Sequence, residues 1–531
     1  MSRICRELAQ IPESSRALPL LLMFSAILMG ALCWVRLQTD LNFDGEIYIL
    51  AARKYATGMF REGLAVYPMP LYPYLISLIH RLIPNWVLAG RLVSYFSMTL
   101  TVIPLYLLSR DLFNRRAAFW GCVAFTLLPE TLLHSNSVLR EPPFFLFYMW
   151  GVYFAQKTLQ SKRFVHLSIS VLFAWVSTFF RVEGLIVLPA YLSVLIFLII
   201  TQRGQRKLHC WFLLAWIGLF ACLIAATLLS MGPRGEDISR YKDWVRFSAE
   251  IWNPTFLENY NRISSQLQQM QAASLNSDIG QHFAGVARKL IPLVYVFGTL
   301  HLFVKVILPV NVIPLVYGLV RARCNRGQIF LILLITFHLA TICFMFIWRD
   351  LLIARYLFIS VILAIPWVGL GIEKLLEFAS ARANGRLVAI CFLSVLFIVP
   401  ALKFDKYFIN RDDLKSLAGK WIANNEGLKN LKIIFSDPGV AFHTEKEIAF
   451  HHDGDTIMLH QVPDDKHFSQ IAQEALARKA DVIVIYTRTE RKNDIVDFEG
   501  YKEIKAFSDK NKLIKIYAAV NRLPSNENPG N

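Results

Sequence analysis

The strongest constraint in this sequence is a series of apolar segments, each long enough to cross a lipid bilayer, that fills the first 403 residues. A membrane-spanning helix needs about 20 apolar residues. Eleven segments fit this requirement, at about 17–37, 88–109, 117–133, 142–159, 165–180, 184–200, 210–230, 291–320, 329–347, 356–372 and 387–403. Only 18% of all residues are charged, which is low for a water-soluble domain. The sequence therefore predicts a polytopic α-helical membrane protein of about eleven spans.

The distribution of charge predicts how the spans are oriented. The net charge is +17, and residues 1–403 hold 37 Lys and Arg against 19 Asp and Glu. These basic residues form short clusters in every second loop, as the positive-inside rule requires when the N-terminus is cytoplasmic. Membrane-length segments separate the clusters, so no single basic face for nucleic acid is expected. Three large segments then face the non-cytoplasmic side: the loops 38–87 and 231–290, and the chain after residue 403.

The chain changes character after residue 403, where 19 Lys and Arg balance 20 Asp and Glu. Short β-branched runs predict strands, and one segment with helical periodicity predicts a helix at 464–479. The predicted strands lie at 432–436, 481–486, 501–507 and 513–520. Two domains follow: a transmembrane domain over 1–403 and a small α/β domain over 404–531 on the non-cytoplasmic side. The long stretch 291–320 has room for a span and an irregular segment around Pro309 and Pro314.

Ionisable and aromatic side chains gather where the predicted spans meet the outer face. They are Asp44, Glu46, Tyr48 and Tyr72 in the first external loop, His134, Arg140 and Glu141 in the second, the turn Arg181-Val-Glu183-Gly184, and Arg355-Tyr356 at the head of a late span. Arg181 and Glu183 can pair with each other across their turn. Acids and cations brought to one face suit the transfer of a group from a phosphate. A carboxylate takes the acceptor's proton as general base, and arginines stabilise the phosphate oxygens.

These motifs resemble those of the C-type (GT-C) membrane glycosyltransferases, which use polyprenyl-phosphate-linked sugars. The similarity is greatest to the protein mannosyltransferase and aminoarabinose transferase group and covers roughly residues 18–403. The matching motifs are Asp44…Tyr48…Ala52…Gly58 with Tyr72-Pro73, the segment Ser137-Val-Leu-Arg-Glu141, the turn Arg181-Val-Glu-Gly184 and the segment Ala354-Arg355-Tyr356-Leu357. The soluble tail is similar only in placement and in its α/β character.

The resemblance implies inverting transfer of a hexose or pentose from polyprenyl phosphate to lipid A, another glycan or a protein. It implies a bacterial inner membrane, with the C-terminal domain in the periplasm. Asp44 matches the catalytic acid and would act as general base, with Glu46 as the alternative because Gly45 separates two acids that are often adjacent. Glu141 would orient the acceptor, or help bind Mg²⁺ or Mn²⁺ where such an ion is used. The residues expected to contact the donor phosphate are Arg355, Arg181, Arg140, Tyr356, His134 and Lys305, and those expected to line the substrate loop are Tyr48 and Tyr72.

Two other functions remain open at this point. A lipid-carrier flippase or transporter should place ionisable residues in mid-span and show repeated halves, whereas here the charges lie at the ends of spans. An O-antigen ligase or polymerase would use a diphosphate-linked oligosaccharide, and the acid-rich first loop and the soluble tail argue against it. Four histidines of the tail, His443, His451, His452 and His460, lack the spacing of a metal site.

Overall fold

The computed structural model describes residues 11–35, 41, 43–230, 257–273, 278–323, 325–349, 352–380, 385–408, 414–425, 433–435, 459–461, 480–488, 500–509 and 512–520. The helices of the described chain are α1 Ala17–Val35, α2 Phe43–Ala56, α3 Phe60–Val66, α4 Leu71–His80, α5 Trp86–Leu112, α6 Arg115–Leu127, α7 Pro129–Asn136, α8 Glu141–Ser161, α9 Phe164–Thr178, α10 Val187–Thr201, α11 Arg206–Ser230, α12 Glu258–Ala273, α13 Asp278–Ile307, α14 Pro309–Arg321, α15 Arg326–Arg349, α16 Ala354–Ser380, α17 Gly385–Phe408 and α18 Leu414–Asn424. Short 3₁₀ turns occur at Ile11–Glu13, Val182–Ile186 and Arg203–Gln205.

The described helices make the chain an integral membrane protein. Each of the eleven predicted spans falls on a helix or on a pair of helices. In the described residues, seven helical segments are long and apolar enough to cross a membrane, or eight if α6 and α7 form one bent span. The helices α9 and α14 are apolar but shorter. The polytopic helical fold is thus confirmed, while eleven full-length spans exceed the number that these criteria support.

Proline breaks two of the predicted spans. The segment 117–133 is not one straight helix, because α7 begins at Pro129 and turns by 62° from α6. Proline has no backbone N–H and starts a helix more readily than it continues one. The long segment 291–320 divides at Leu308, whose φ of 70° ends α13 before Pro309 opens α14. The predicted irregularity near Pro309 is confirmed, whereas Pro314 continues inside α14.

The bundle packs around α16, in which 94% of the apolar span is buried. This helix contacts α6, α13, α14 and α15. Its backbone lies directly against that of α14 at Gly371, where an added Cβ would come within 1.8 Å of the Pro314 carbonyl oxygen. Small residues at such crossings let helix backbones approach in a membrane, where van der Waals packing drives association.

The loops predicted to be external also contain helices. The helix predicted at 47–57 begins earlier, at Phe43, so that Asp44 and Glu46 lie in the first turn of α2. The loop then continues through α3 and α4 before the span α5 starts at Trp86. In the second large external segment, the described part contains α12, and α13 begins at Asp278 rather than near residue 291.

The described residues divide into two compact units. One comprises those of Met1–Leu37 and Tyr48–Phe408, and the other comprises those of Gln38–Ile47 and Ile409–Asn531. The second unit contains a five-stranded sheet in the order β2-β1-β3-β5-β4. Its strands are β1 Ile433–Phe435, β2 Leu459–Gln461, β3 Val482–Arg488, β4 Tyr501–Asp509 and β5 Lys512–Ala519.

In this sheet β1 runs parallel to β2 and β3, and β5 runs antiparallel to β3 and β4. Leu414, Ala418 and Ile422 recur every four residues along α18 and pack on the buried side chains of the central strands. The four predicted strands are present, whereas α18 and the three-residue β2 were not predicted. The helix predicted at 464–479 lies outside the described residues.

Replacing Gly371 by alanine should destabilise the bundle. The new methyl group would collide with the α14 backbone, and overpacking of this kind costs about 1–3 kcal/mol. We expect a lower midpoint of thermal unfolding for purified Gly371→Ala in detergent. Gly218→Ala on α11 is the matched control, because no atom lies within 4 Å of its added Cβ. Equal midpoints for the two variants would contradict this packing.

Candidate active site at converging helix N-termini

A buried arginine joins two carboxylates at the centre of the site. Arg181 Nη1 donates to Glu141 Oε1 at 2.5 Å, while its Nε and Nη2 both donate to Glu183. The Arg181–Glu183 pair predicted from the turn is therefore confirmed, and Glu141, 40 residues earlier, is added to it. Arg181 is 4% exposed and Glu141 1% exposed, so this ion pair is withdrawn from water. Its charges are held by charge-assisted, partly bidentate hydrogen bonds.

The local sequence explains where these groups stand. Pro142 and Pro143 occupy the first turn of α8, where proline is tolerated, so the helix starts at Glu141. A carboxylate at that position also interacts favourably with the positive end of the helix dipole. Glu183 lies in the 3₁₀ turn Val182–Ile186 that leads directly into α10.

The start of a third helix meets the same arginine. Arg355 and Tyr356 lie in the first turn of α16, and the Tyr356 ring is shared by two guanidinium groups. Arg181 Cζ is 4.5 Å and Arg355 Cζ 5.2 Å from the ring centroid. The N-terminal ends of α8, of the turn before α10 and of α16 therefore converge. Because helix N-termini carry unpaired N–H groups and a partial positive charge, their convergence favours an anion.

Arg140, which precedes α8, is a buried cation of a different kind. It is 7% exposed, its Nη1 lies 3.0 Å from the Met69 sulfur, and its Cζ lies 5.6 Å from the centre of the Tyr67 ring. A thioether and an aromatic face contact the guanidinium without neutralising its charge. No carboxylate of the described chain lies within salt-bridge distance of Arg140. We call Arg140, Glu141, Arg181, Glu183, Arg355 and Tyr356 the arginine cluster.

A group of tyrosines from the first external loop supports Arg140. Tyr67 packs edge-on against Tyr48, with ring centroids 4.8 Å apart, and Tyr48 packs edge-on against Tyr72 at 5.2 Å. Tyr72 donates to the Gly90 carbonyl oxygen, and burial raises the pKa of its hydroxyl, which keeps it protonated. Tyr48 and Tyr72, expected to line the substrate loop, are 3% and 1% exposed. Both rings are therefore buried.

His134 lies beside the cluster on α7. Its ring stacks on Phe358 at 5.2 Å and 8°, and its Nδ1 is 2.6 Å from the Glu130 carbonyl oxygen. A carbonyl oxygen only accepts, so Nδ1 carries the proton and the Nε2 of a neutral His134 presents a lone pair. Such a nitrogen accepts a hydrogen bond from a hydroxyl and does not donate one to a phosphate.

The remaining expected site residues are Asp44, Glu46 and Lys305. Asp44 and Glu46 both lie in the first turn of α2, where Asp44 is half-buried and Glu46 is 4% exposed. They fall in the unit that contains Gln38–Ile47, whereas the arginine cluster belongs to the unit of Tyr48–Phe408. Lys305 is exposed on the last turn of α13 and is not part of the arginine cluster.

The arginine cluster contains one buried cation that no carboxylate of the described residues pairs with. Arg181 is paired with Glu141 and Glu183, whereas Arg140 has no carboxylate of the described chain within salt-bridge distance. This charge is buried, where Coulomb interactions are stronger than in water. An anion such as a phosphate monoester or diester would balance it. The described residues contain no group of three His, Cys, Asp or Glu side chains that could hold a metal ion, and Arg181 donates to Glu141 Oε1.

The sequence did not predict Tyr67, Met69 or Glu183 as residues of the site. Tyr67 and Met69 lie in the Pro- and Tyr-rich segment that follows α3, and no local pattern says which of its side chains faces Arg140. Glu183 had a local signal, the Arg-x-Glu spacing, but its partnership with Glu141 through Arg181 is a tertiary feature.

The fold is similar to those of two solved structures, ArnT and an archaeal oligosaccharyltransferase. The chain is similar to ArnT from Cupriavidus metallidurans bound to undecaprenyl phosphate, with a TM-score of 0.56 and 12% identity over 97% of this chain and 100% of that one. It is also similar to the archaeal oligosaccharyltransferase AglB from Archaeoglobus fulgidus, in complex with an inhibitory peptide and a dolichol-phosphate. There the TM-score is 0.54 and the identity 13%, over 96% of this chain and 75% of AglB.

A sequence profile of the family described as dolichyl-phosphate-mannose-protein mannosyltransferase matches residues 67–230. This match includes Tyr67, Arg140, Glu141 and Arg181, and it ends before Arg355. No curated protein matches the chain. The resemblance to polyprenyl-phosphate-dependent glycosyltransferases is thus confirmed at the level of the fold.

Removing the Arg181 guanidinium should strongly destabilise the protein. Arg181→Met leaves the carboxylates of Glu141 and Glu183 without their shared cation, and breaking a buried pair costs about 3–5 kcal/mol. Unfolding in mixed micelles measures this loss. Lys374→Met is the control, because its 2.8 Å contact with Glu377 is exposed and such pairs contribute about 0–1 kcal/mol. A fully stable Arg181→Met protein would show that the bridge does not hold the helices.

Proposed function

We propose that this protein is a membrane glycosyltransferase that moves a sugar from a polyprenyl-phosphate carrier to an acceptor on the non-cytoplasmic face. One observation supports the proposal most directly: the N-terminal ends of α8, of the turn before α10 and of α16 converge on Arg181, and the buried Arg140 that precedes α8 has no carboxylate of the described chain within salt-bridge distance. A phosphate is the anion that such a site suits, because guanidinium groups and helix N-termini both bind phosphate oxygens. The cluster stands at the ends of apolar helices, where the phosphate of a membrane-anchored carrier would lie.

The class of carrier follows by analogy with proteins of the same fold. ArnT is bound to undecaprenyl phosphate in its structure, and AglB is in complex with a dolichol-phosphate. We extend a polyprenyl phosphate to this chain on that basis. The proposed acceptor is lipid A, another glycan or a protein, and the transferred sugar is a hexose or pentose.

The proposed reaction needs a base, an electrophile and a stabilised leaving group. The acceptor hydroxyl oxygen attacks the anomeric carbon of the sugar, and its proton passes to the Asp44 carboxylate. The bond between that carbon and the phosphate oxygen breaks, and its electron pair stays on the polyprenyl phosphate. Attack from the side opposite the leaving group inverts the anomeric centre. Of the two acids on α2, Asp44 is preferred because it is half-buried and Glu46 is buried.

The three arginines have different roles in the proposed reaction. We assign the leaving phosphate to Arg140 and Arg355, with the Tyr356 hydroxyl as a third donor. Arg181 is engaged by two carboxylates, so its main contribution is to hold Glu141 in place. Glu141 Oε2 has no hydrogen-bond partner among the described residues. We propose that Glu141 accepts from a hydroxyl of the acceptor, with His134 Nε2 beside it.

The membrane location is part of the same proposal. The basic loops predict a cytoplasmic N-terminus, which sets the arginine cluster and the C-terminal domain on the opposite side. In a bacterium this corresponds to the inner membrane with the C-terminal domain in the periplasm.

Asp44→Asn should abolish transfer while the protein is still inserted into the membrane, because an amide cannot take the acceptor's proton. The measurement compares surface glycans and lipids by mass spectrometry in cells expressing wild type or Asp44→Asn at matched levels. A mass increment of one sugar should be present only with wild type. Glu46→Gln is the matched control and should keep the increment. If the increment is instead lost in Glu46→Gln and kept in Asp44→Asn, the base is Glu46. Unchanged glycans together with altered carrier-linked sugars would instead favour a flippase.

Arg140→Gln should weaken the use of the donor more than that of the acceptor. The variant keeps hydrogen-bonding capacity but removes the buried charge that has no carboxylate partner, and we expect the donor KM to rise about tenfold or more, given that charge-assisted bonds are roughly twice as strong as neutral ones. Kinetics in nanodiscs with the sugar identified above would measure this. Arg288→Gln is the control, since Arg288 is an exposed arginine bonded to Ser264. An unchanged donor KM would remove Arg140 from the phosphate site.

A further inference from the structure

A second polar contact lies deeper in the bundle, apart from the arginine cluster. The Tyr148 hydroxyl oxygen and His338 Nε2 are 2.7 Å apart, and their rings meet edge to face with centroids 5.4 Å apart. Tyr148 has no exposed surface and His338 is 1% exposed. An ionisable residue inside a membrane bundle is costly, so its presence there points to a function and to a specific partner.

Tyr148 lies on the same helix as Glu141. The two residues are seven positions apart on α8, which is two helical turns, or about 10 Å along the axis. Phe144 lies between them: its ring is 5.2 Å from that of Tyr148 and 5.9 Å from Arg181 Cζ. A continuous column of side chains therefore connects Tyr148 to the arginine that holds Glu141.

His338 lies on the helix that packs against the other carboxylate. It belongs to α15, which contacts the turn Val182–Ile186 that carries Glu183. The Tyr148–His338 hydrogen bond thus joins α8 to the helix that supports Glu183.

We propose that Tyr148 and His338 are positioning residues for the transfer reaction. Arg181 links the start of α8 to the Glu183 turn, and the Tyr148–His338 bond links α8 to α15 two turns further along. A helix held at one point can pivot and rotate, whereas one held at two depths presents Glu141 in a single orientation. Because a misplacement of about 1 Å can reduce a rate by about 100-fold, this second link bears on catalysis more than on folding.

The experiment rests on the proposed glycosyl transfer and starts from a wild-type protein whose transfer has been measured. Tyr148→Phe and His338→Leu each remove the hydrogen bond between the two side chains. The double variant loses this same single bond and no other. We expect kcat to fall about tenfold in each of the three, with no further loss in the double variant. The donor KM should change less, because Arg140 is held separately by Met69 and Tyr67.

Two further variants separate positioning from packing. His338→Gln supplies an amide that can bond to the Tyr148 hydroxyl, so it should restore most of the kcat lost in His338→Leu. Tyr191→Phe is the matched control, because Tyr191 is a buried tyrosine that packs against Phe330 of the same α15. Its kcat should remain within about twofold of wild type, since the Tyr191 hydroxyl has no hydrogen-bond partner among the described residues and its deletion breaks no bond to α8.

Several outcomes would overturn the inference. An unchanged kcat in Tyr148→Phe, or equal losses in His338→Gln and His338→Leu, would remove the positioning role while leaving the transferase assignment intact. A fall in kcat matched by an equal fall in the folded fraction, measured by thermal unfolding, would make the pair structural. If wild type shows no transfer at all, the proposed function fails and this inference fails with it.

Discussion

The arrangement of the site depends on one buried interaction, the bridge from Arg181 to Glu141 and Glu183. The buried Glu141 carboxylate would be expensive to bury alone, and the guanidinium that it shares with the half-buried Glu183 makes its burial tolerable. The bridge holds the start of α8 beside the turn that leads into α10, although 40 residues separate Glu141 from Arg181. Gly184 permits this turn, because a Cβ there would lie 2.3 Å from Ser177 Oγ at the end of α9.

The sequence predicted those features that follow from local patterns and membrane topology. Span positions follow from segment length, and the meeting of Glu141, Arg181 and Arg355 follows from their common place at the ends of spans. The structure adds what depends on side-chain packing: Tyr67 and Met69 around Arg140, and the enclosure of Tyr48 and Tyr72. Hydropathy did not predict the helix break at Pro129 and predicted the one at Leu308 only approximately. Proline changes the direction of a helix without changing the apolar character of the segment.

In this cluster, aromatic rings provide part of the electrostatic stabilisation that carboxylates provide in an ordinary ion pair. Tyr356 receives Arg181 and Arg355, and Tyr67 receives Arg140. The negative face of each ring stabilises a guanidinium without neutralising it. A carboxylate in the place of Tyr67 would compete with phosphate for Arg140, whereas the ring and the Met69 thioether leave its charge available. The cluster can therefore hold a cation in a buried place before any anion is bound.

The position of the arginine cluster at the ends of apolar helices suits a reaction between one substrate held in the lipid bilayer and another that comes from water. In the proposed reaction, the polyprenyl chain of the donor remains in the hydrocarbon layer, while the acceptor hydroxyl, on a glycan, lipid or protein, approaches from water. Arg181 and Arg355 each stand at the first residues of a helical segment long and apolar enough to span a membrane, so a phosphate bound there keeps its lipid alongside these helices. The anion then lies where low dielectric strengthens its contacts with the arginines. Stabilisation of the leaving phosphate consequently grows as negative charge develops on it, which is the condition under which binding energy lowers a reaction barrier.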